Sequence, residues 1–340
     1  MTFSDLIRRP LVVAPMGGGP STTGLVAAAA AAGALGFVAA AYRSAAAMRE
    51  QIDAVAAATA EAFGVNLFVP GAPATDRVGL GSYLAGLTSD ARAVGAALGE
   101  PAWDDDDWDA KIADLTARPV PVVSFTFGCP YPEVLSALRA AGSAVWVTVT
   151  DVDEARAAVA AGADALCVQG AEAGAHRGTF GNDDRAASPR TGVLDLVAAV
   201  RSGTSLPILA AGGIMDAGGV GAALAAGASA AQCGTTFLRC PESGAHPAYK
   251  AALADGRFTS TAITRAFSGR PARGLVNGFL LAHRDAPAAY PEINNATRPL
   301  RAAAVAAGDA DRMSLWAGEG FRAATDRPAG EVVDLLCRRR

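Results

Sequence analysis

The chain has little charge, few aromatic residues and only three histidines. Charged residues make up 18% of its 340 positions and aromatics 6%, whereas hydrophobic residues reach 51%. That balance excludes the polar, highly charged composition of a chain unable to bury a core. Basic excess is also missing: 29 Lys and Arg face 33 Asp and Glu, for a formal charge of -4. Phosphate backbones and anionic lipids select the opposite sign, so neither nucleic acid nor a membrane surface is an expected partner. The five cysteines (Cys129, Cys167, Cys233, Cys240, Cys337) are odd in number and contain no C-x-x-C pair, which argues against a disulfide framework or a zinc ribbon and suits a reducing cytoplasm. No metal site is expected. Residues 1–10 carry Asp5, Arg8 and Arg9 and lack the apolar core of a signal peptide, so export is not expected. A long apolar span is lacking too: Leu25 to Tyr42 is mostly Ala, interrupted by Gly33 and Gly36, and reads as a short helix followed by a strand.

What is present is an alternation. Short apolar runs at Leu11 to Ala14, Leu35 to Ala39, Phe63 to Leu67, Val120 to Thr126, Ala144 to Val149, Ala165 to Gln169, Pro207 to Ala211 and Ala230 to Cys233 read as strands buried on both faces, the signature of a parallel sheet. Helical spacing separates them, as in Met48, Ile52 and Val55, in Val134, Leu135 and Leu138, and in Val193, Leu194, Val197 and Val200. Ser44, Thr150 and Asp216 stand where N-caps are expected. Gly33, Gly142, Gly162 and Gly227 stand where left-handed C-terminal residues are expected. Strand and helix alternating in this way predict an α/β fold, a (β/α)8 TIM barrel, with a doubly wound open sheet as the runner-up. Two regions break the rhythm. Residues 71–118 read as an inserted helical lobe, with a helical pattern over Ala85 to Leu98 and an acidic run, Asp104 to Asp107, taken as a solvated loop. Residues 241–340 read as a helical and loop-rich extension covering the mouth of the barrel formed by residues 1–240.

In such a barrel the chemistry gathers at the C-terminal ends of the strands. Those ends hold Pro15 to Gly19, Asn66, Ser124, Thr126, Thr148, Gln169 to Gly178, Gly212 and Gly213, and Gln232 to Thr236. Glycine pairs after the last two strands, each leading into a helix, present bare N–H groups to an anion and predict a phosphorylated ligand. No G-x-G-x-x-G follows the first strand, so a Rossmann dinucleotide site has no local support. Met16 to Gly19 would let a flat ring lie against the backbone. Among the three histidines only His176 directly follows a barrel strand, which makes it the candidate proton carrier; His246 and His283 are expected to be structural. Glu172 and Arg177 flank it and are candidates either to orient it, to bind a substrate carboxylate or simply to sit in solvated loop positions. A cysteine nucleophile is disfavoured, since no histidine adjoins Cys129 or Cys233.

The stretches Ala14 to Gly18, Gly64 to Phe68, Val123 to Gly128, Gln169 to Gly178 (QGAEAGAHRG), Pro207 to Ile214 (PILAAGGI), Gln232 to Thr235 (QCGT) and Thr264 to Asn277 together resemble the nitronate monooxygenase family, formerly 2-nitropropane dioxygenases. The resemblance implies FMN as cofactor, held by Met16, Gly17, Asn66, Gln169, Gly174, Gly212, Gly213, Gln232, Gly234 and Thr235, and His176 as the catalytic histidine. It implies flavin-dependent oxidation of alkyl nitronates, or of nitroalkanes after loss of the α-proton, by O2 to an aldehyde or ketone plus nitrite. Thr126 stands where many members have His, and Gly174-Ala175-His176 stands for the usual Gly-Gly-His. The expected partners are a small nitronate and O2, with self-association into a homodimer left open. Three alternatives accompany this reading: a flavin-dependent enoyl-acyl-carrier-protein reductase that uses a nicotinamide donor, an IMP dehydrogenase type of barrel with a catalytic cysteine, and a non-catalytic barrel that binds a phosphorylated metabolite.

Overall fold

The computed structural model describes residues 3–183, 187 and 191–338; the outer limits of the two expected segments, residues 1 and 340, lie outside these. Every apolar run named above becomes a strand: β1 (Leu11–Val13), β2 (Gly36–Ala39), β3 (Phe63–Phe68), β4 (Val122–Thr126), β5 (Ala144–Val149) and β6 (Ala165–Gln169). A two-residue strand β7 (Ala175–His176) follows, then β8 (Ile208–Ala211) and β9 (Ala230–Cys233). All of these except β7 form one parallel sheet in the order β1-β9-β8-β6-β5-β4-β3-β2. A parallel bridge between Val12 and Leu35, with the Val13 N–H donating to the Leu35 carbonyl at 2.8 Å, joins β1 to β2 and closes the ring. The expected (β/α)8 barrel is therefore the observed fold.

Period-2 alternation along each strand sorts the side chains into two environments. Outward-facing Val65, Val123, Val145, Leu166, Ile208 and their neighbours pack on the surrounding helices. The inward-facing positions near the strand starts are apolar: Val12, Phe37, Val122, Trp146 and Leu209 fill the barrel. Trp146 is 1% exposed at its centre, and Phe3 packs against it with tilted rings whose centroids are 5.7 Å apart. A Cβ on Gly64 would stand 2.2 Å from the Phe37 ring, so this inward position accepts nothing larger than glycine. One layer higher the inward residues turn polar: Asn66 pairs in register with Ser124, and Thr148 with Cys167.

Caps follow the sequence with one shift. Ser44 and Asp216 accept the N–H groups of Ala47 and Gly219, and Gly33, Gly142, Gly162 and Gly227 all adopt positive φ. The expected cap at Thr150 moves to Asp151, whose extended backbone and carboxylate receive the Glu154 N–H at 2.8 Å, while the Thr150 hydroxyl bonds the Glu154 carboxylate.

In the region 71–118, the expected single helix over Ala85 to Leu98 is two shorter helices, Arg77–Gly86 and Thr88–Ala93. Helix Trp108–Ala117 packs Leu115 into the barrel's own core. The acidic run is no free solvated loop. Asp106 pairs with Lys111, itself 1% exposed, at 2.8 Å and accepts the Tyr42 N–H at 2.8 Å; Asp107 accepts the Ala45 N–H; Asp104 accepts from Asn295 at 2.6 Å. Beyond Cys240 the chain adds strands that its sequence did not announce. β10 (Thr261–Thr264) and β11 (Ala272–Leu275) pair antiparallel, and β7 adds to β11, with His176 opposite Ala272. The last helix, Ala329–Leu336, does not lie over the mouth but buries Val332, Val333 and Leu336 in the core cluster outside the barrel.

Candidate functional site

The strand ends open into a cavity of about 740 Å³, and Met16, Gly17, Asn66, Gln169, Gly174, His176, Gly212, Gly213, Gln232, Gly234 and Thr235 all line it. Topology explains the convergence: strands far apart in sequence end on one rim of a closed barrel. At the base, the Asn66 amide donates to the Ser124 hydroxyl at 2.9 Å and to the Thr126 hydroxyl at 3.1 Å, which fixes the side chain and leaves Oδ1 without a donor among the described residues. Gln169 is engaged differently from a free ligand-binding amide. Its Nε2 donates to the His176 carbonyl at 3.1 Å and its Oε1 accepts the Gly178 N–H at 2.9 Å, so it pins the loop that carries the histidine.

Arg177 and Glu172 neither orient the imidazole nor sit in solvent. Arg177, 2% exposed, donates to the carbonyls of Gly170 and Gln169, and Glu172 accepts the Val193 N–H at 3.1 Å. Both hold the loop's backbone, because a glycine-rich turn leaves carbonyls and N–H groups that need partners. Ala175, at φ 61, takes the left-handed conformation where the resemblance leads one to expect glycine.

His176 sits in an aromatic box. Its ring lies 5.6 Å from that of Phe127, 5.8 Å from Tyr290 and 5.7 Å from Trp316. Nε2 is 2.8 Å from the Ser268 hydroxyl, which lies 3.1 Å from the Arg270 carbonyl. A carbonyl only accepts and a hydroxyl has one proton. With that proton directed to Arg270, Ser268 accepts from Nε2–H, and Nδ1 is left as the unprotonated nitrogen, without a protein partner among the described residues. Burial, followed by the charges of Arg270 and Arg301, pushes the His176 pKa down to about 3, so the ring is neutral across the physiological range.

The cavity's charged groups share one sign. Arg43, Arg298 and Arg301 line it, and no aspartate or glutamate does among the described residues. Arg270, 5% exposed, lies 3.9 Å over the Phe127 ring. Where strand β8 ends, Gly212 and Gly213 adopt positive φ (113° and 72°), which lets the chain turn tightly. Their N–H groups and that of Gly234 have no protein acceptor among the described residues. The helix N-terminus expected to help them is already occupied: Asp216 caps Gly219 at 2.8 Å, and the turn after β9 is a three-residue 3-10 helix, Thr235–Phe237. Bare glycine N–H groups, rather than a free helix end, are what an anion would meet here.

Sequence reasoning missed the far wall. Tyr42, Arg43, Tyr249, Asn294, Arg298, Arg301 and Trp316 line the cavity, and Ser268 and Arg270 stand behind His176. The nearest signal was Thr264 to Asn277 within the resemblance. His246, expected to be structural, caps the helix Pro247–Ala254 through Nδ1 and also lines the cavity. His283 is structural, 3.0 Å from Asp90. Cys167 and Cys233 line the cavity, but burial pushes each thiol up to about 12, which removes thiolate character at neutral pH.

A closed parallel barrel whose strand ends open into a cavity lined by His176, His246 and glycine N–H groups has the layout of a barrel enzyme with its site at the strand ends. The model of the family described as nitronate monooxygenase matches residues 2–339, and the chain belongs to that family. Among solved structures it is similar to the nitroalkane oxidase from Streptomyces ansochromogenes, with a TM-score of 0.95 and 48% identity over 98% of this chain and 96% of that one. Nitronate monooxygenase from Pseudomonas aeruginosa (strain PAO1) is 40% identical over 97% of this chain and 95% of its own length. FabK from Thermotoga maritima is more distant, with a TM-score of 0.71 and 26% identity, covering 98% of this chain and 93% of that one. No helix among the described residues is long and apolar enough to cross a membrane.

Proposed function

We propose that this protein uses FMN and O2 to oxidise alkyl nitronates, and nitroalkanes after removal of the α-proton, to an aldehyde or ketone plus nitrite. The observation that carries the reading is the His176 imidazole, its Nδ1 unpartnered among the described residues, at the edge of a cavity that Arg43, Arg298 and Arg301 line and that no carboxylate lines among the described residues. Such a cavity favours a small anion, and the imidazole can take a proton from its neutral parent acid.

The residues present fit a flavin mononucleotide. Free N–H groups at Gly212, Gly213 and Gly234 suit a phosphate, the Asn66 Oδ1 and the Gln232 amide offer polar contacts to an isoalloxazine edge, and Met16 and Gly17 offer a flat apolar wall. Gly174 and Thr235 line the same space, and Gln169 serves by holding the His176 loop. When bound, the cofactor supplies the redox chemistry between the nitronate and O2. The protein's own residues bind, orient and move protons. With a nitroalkane, the bare His176 Nδ1 is the group placed to take the α-proton, a step that the low basicity of the buried ring slows; with a preformed nitronate, the arginines hold the charge and no proton is removed. A reducing cytoplasm suits the five free cysteines.

The test is nitrite release with O2 uptake by the FMN-loaded enzyme given ethyl nitronate, nitroethane or reduced nicotinamide. Two nitrites released per O2 consumed with ethyl nitronate, the balance for conversion of two nitronates and one O2 into two aldehydes and two nitrites, supports the reading. Flavin reduction by nicotinamide without nitronate turnover supports the reductase, and no binding of FMN leaves the metabolite-binding barrel.

A further inference from the structure

Arg301 differs from the other cationic residues of the cavity. Its guanidinium is held on the helix Glu292–Ala307 by three hydrogen bonds: Nε to the Thr297 hydroxyl at 3.1 Å, and one Nη to both the carbonyl (2.9 Å) and the side-chain oxygen (2.8 Å) of Asn294. Every acceptor is neutral. No carboxylate lies within ion-pair distance among the described residues, and the other Nη has no partner there. Thr297 is itself fixed, 0% exposed, with its hydroxyl donating to the Phe267 carbonyl at 2.5 Å.

Burying a guanidinium without a counter-charge is unfavourable, and structural arginines at such positions are normally paired. Burial accordingly pushes Arg301 down to about 10, which still leaves it charged at pH 8. Its field reaches His176, Tyr42 and Tyr290. Arg298, by contrast, is exposed at the rim, where water and salt screen it. A rigid planar cation with one open edge, set into a cavity with no competing carboxylate among the described residues, is organised for a planar delocalised anion before one arrives.

We propose that Arg301 is the residue that binds the negative charge of the substrate, and that it makes the enzyme select the nitronate over the neutral nitroalkane of the same carbon skeleton. This rests on the function proposed above. Asn294 and Thr297 are its positioning residues: they hold one edge of the fork so that the free edge faces the cavity.

The test uses the FMN-loaded full chain and compares native enzyme with Arg301→Met, Arg301→Gln and Arg301→Lys at pH 8. Two readouts are taken: kcat/KM for ethyl nitronate and for nitroethane, and the dissociation constant of nitrate, an inert planar anion, from the change in flavin absorbance. Arg301→Met is expected to raise the KM for ethyl nitronate at least tenfold and to lower kcat/KM for nitroethane by a clearly smaller factor, because there the negative charge develops only as the α-proton leaves. Its nitrate dissociation constant should rise at least tenfold. Arg301→Lys should recover part of both, because it keeps the charge and loses the fork. Arg301→Gln, neutral yet able to hydrogen-bond Asn294, stands in if the methionine variant fails to load flavin. A selectivity ratio within threefold of native, with unchanged nitrate affinity in a flavin-loaded neutral variant, overturns the proposal. If the native enzyme turns over neither compound, the proposed function falls, while the nitrate titration still decides whether Arg301 binds the anion.

Discussion

Replacing Ser268 with alanine removes one oxygen that serves three groups. The hydroxyl receives Nε2–H of His176 across 2.8 Å, donates to the Arg270 carbonyl across 3.1 Å and accepts the Arg270 N–H across 3.3 Å. Ser268 is 1% and Arg270 5% exposed, so water does not readily replace it. Leaving buried polar groups unpaired costs about 1–3 kcal/mol each, and a total stability loss of about 2–3 kcal/mol is expected because the loop can relax. The functional effect follows from the tautomer. Without Ser268 nothing selects Nε2–H: losing about 1 kcal/mol of preference shifts the tautomer ratio roughly fivefold, so the form with a bare Nδ1 falls from about 85% to about 50% of the neutral ring. Nitroethane needs that base and ethyl nitronate does not. Nitrite assays on the flavin-loaded Ser268→Ala enzyme should show kcat/KM for nitroethane falling about twofold and that for ethyl nitronate staying unchanged. Equal losses for both compounds, or no loss for nitroethane, would refute the tautomer assignment.

Three further perturbations follow from the geometry. Ala175 has φ 61, and left-handed backbone costs a non-glycine residue about 1 kcal/mol or more, so Ala175→Gly should raise the unfolding free energy by about 1 kcal/mol in urea titration. Lys111, 1% exposed, neutralises Asp106 and donates to the Ala40 carbonyl; Lys111→Met leaves a carboxylate uncompensated and should cost about 3–5 kcal/mol in the same measurement. The pKa of His176 is lowered by folding, so the unfolded chain binds its proton first and the associated stability, full above about pH 6.5, is lost as pH falls toward 3. His176→Asn should therefore flatten the acid side of the stability profile by up to about 1.4 kcal/mol per pH unit, and an unchanged slope between pH 6 and 4 would show that the ring is already protonated in the fold.

The barrel was legible because each of its strands is buried on both faces and advertises itself as an apolar run, as in Ala165–Gln169. The residues on its rim were legible for the same reason: once the strands are located, closure alone brings Asn66, Gln169, Gly212 and Gln232 together. Strands β7, β10 and β11 were not. β10 reads Thr-Ala-Ile-Thr and β11 Ala-Arg-Gly-Leu, too short and too mixed to show a period, and they exist because each supplies the other's hydrogen bonds. Arg301 and Ser268 were hidden by the same physics, since they reach the cavity through tertiary packing of the C-terminal segment and no local pattern records that. Glu172 and Arg177 misled in the opposite sense, because charge beside a histidine suggests chemistry, whereas here it satisfies the backbone of a glycine-rich loop.

The most direct test of the proposed function is anaerobic mixing of the FMN-loaded enzyme with ethyl nitronate and, separately, with NADH and NADPH, followed by flavin absorbance. Rapid loss of the oxidised flavin bands with the nitronate, and none on the same timescale with either nicotinamide, is the expected result. Bleaching by a nicotinamide with no response to the nitronate would contradict it.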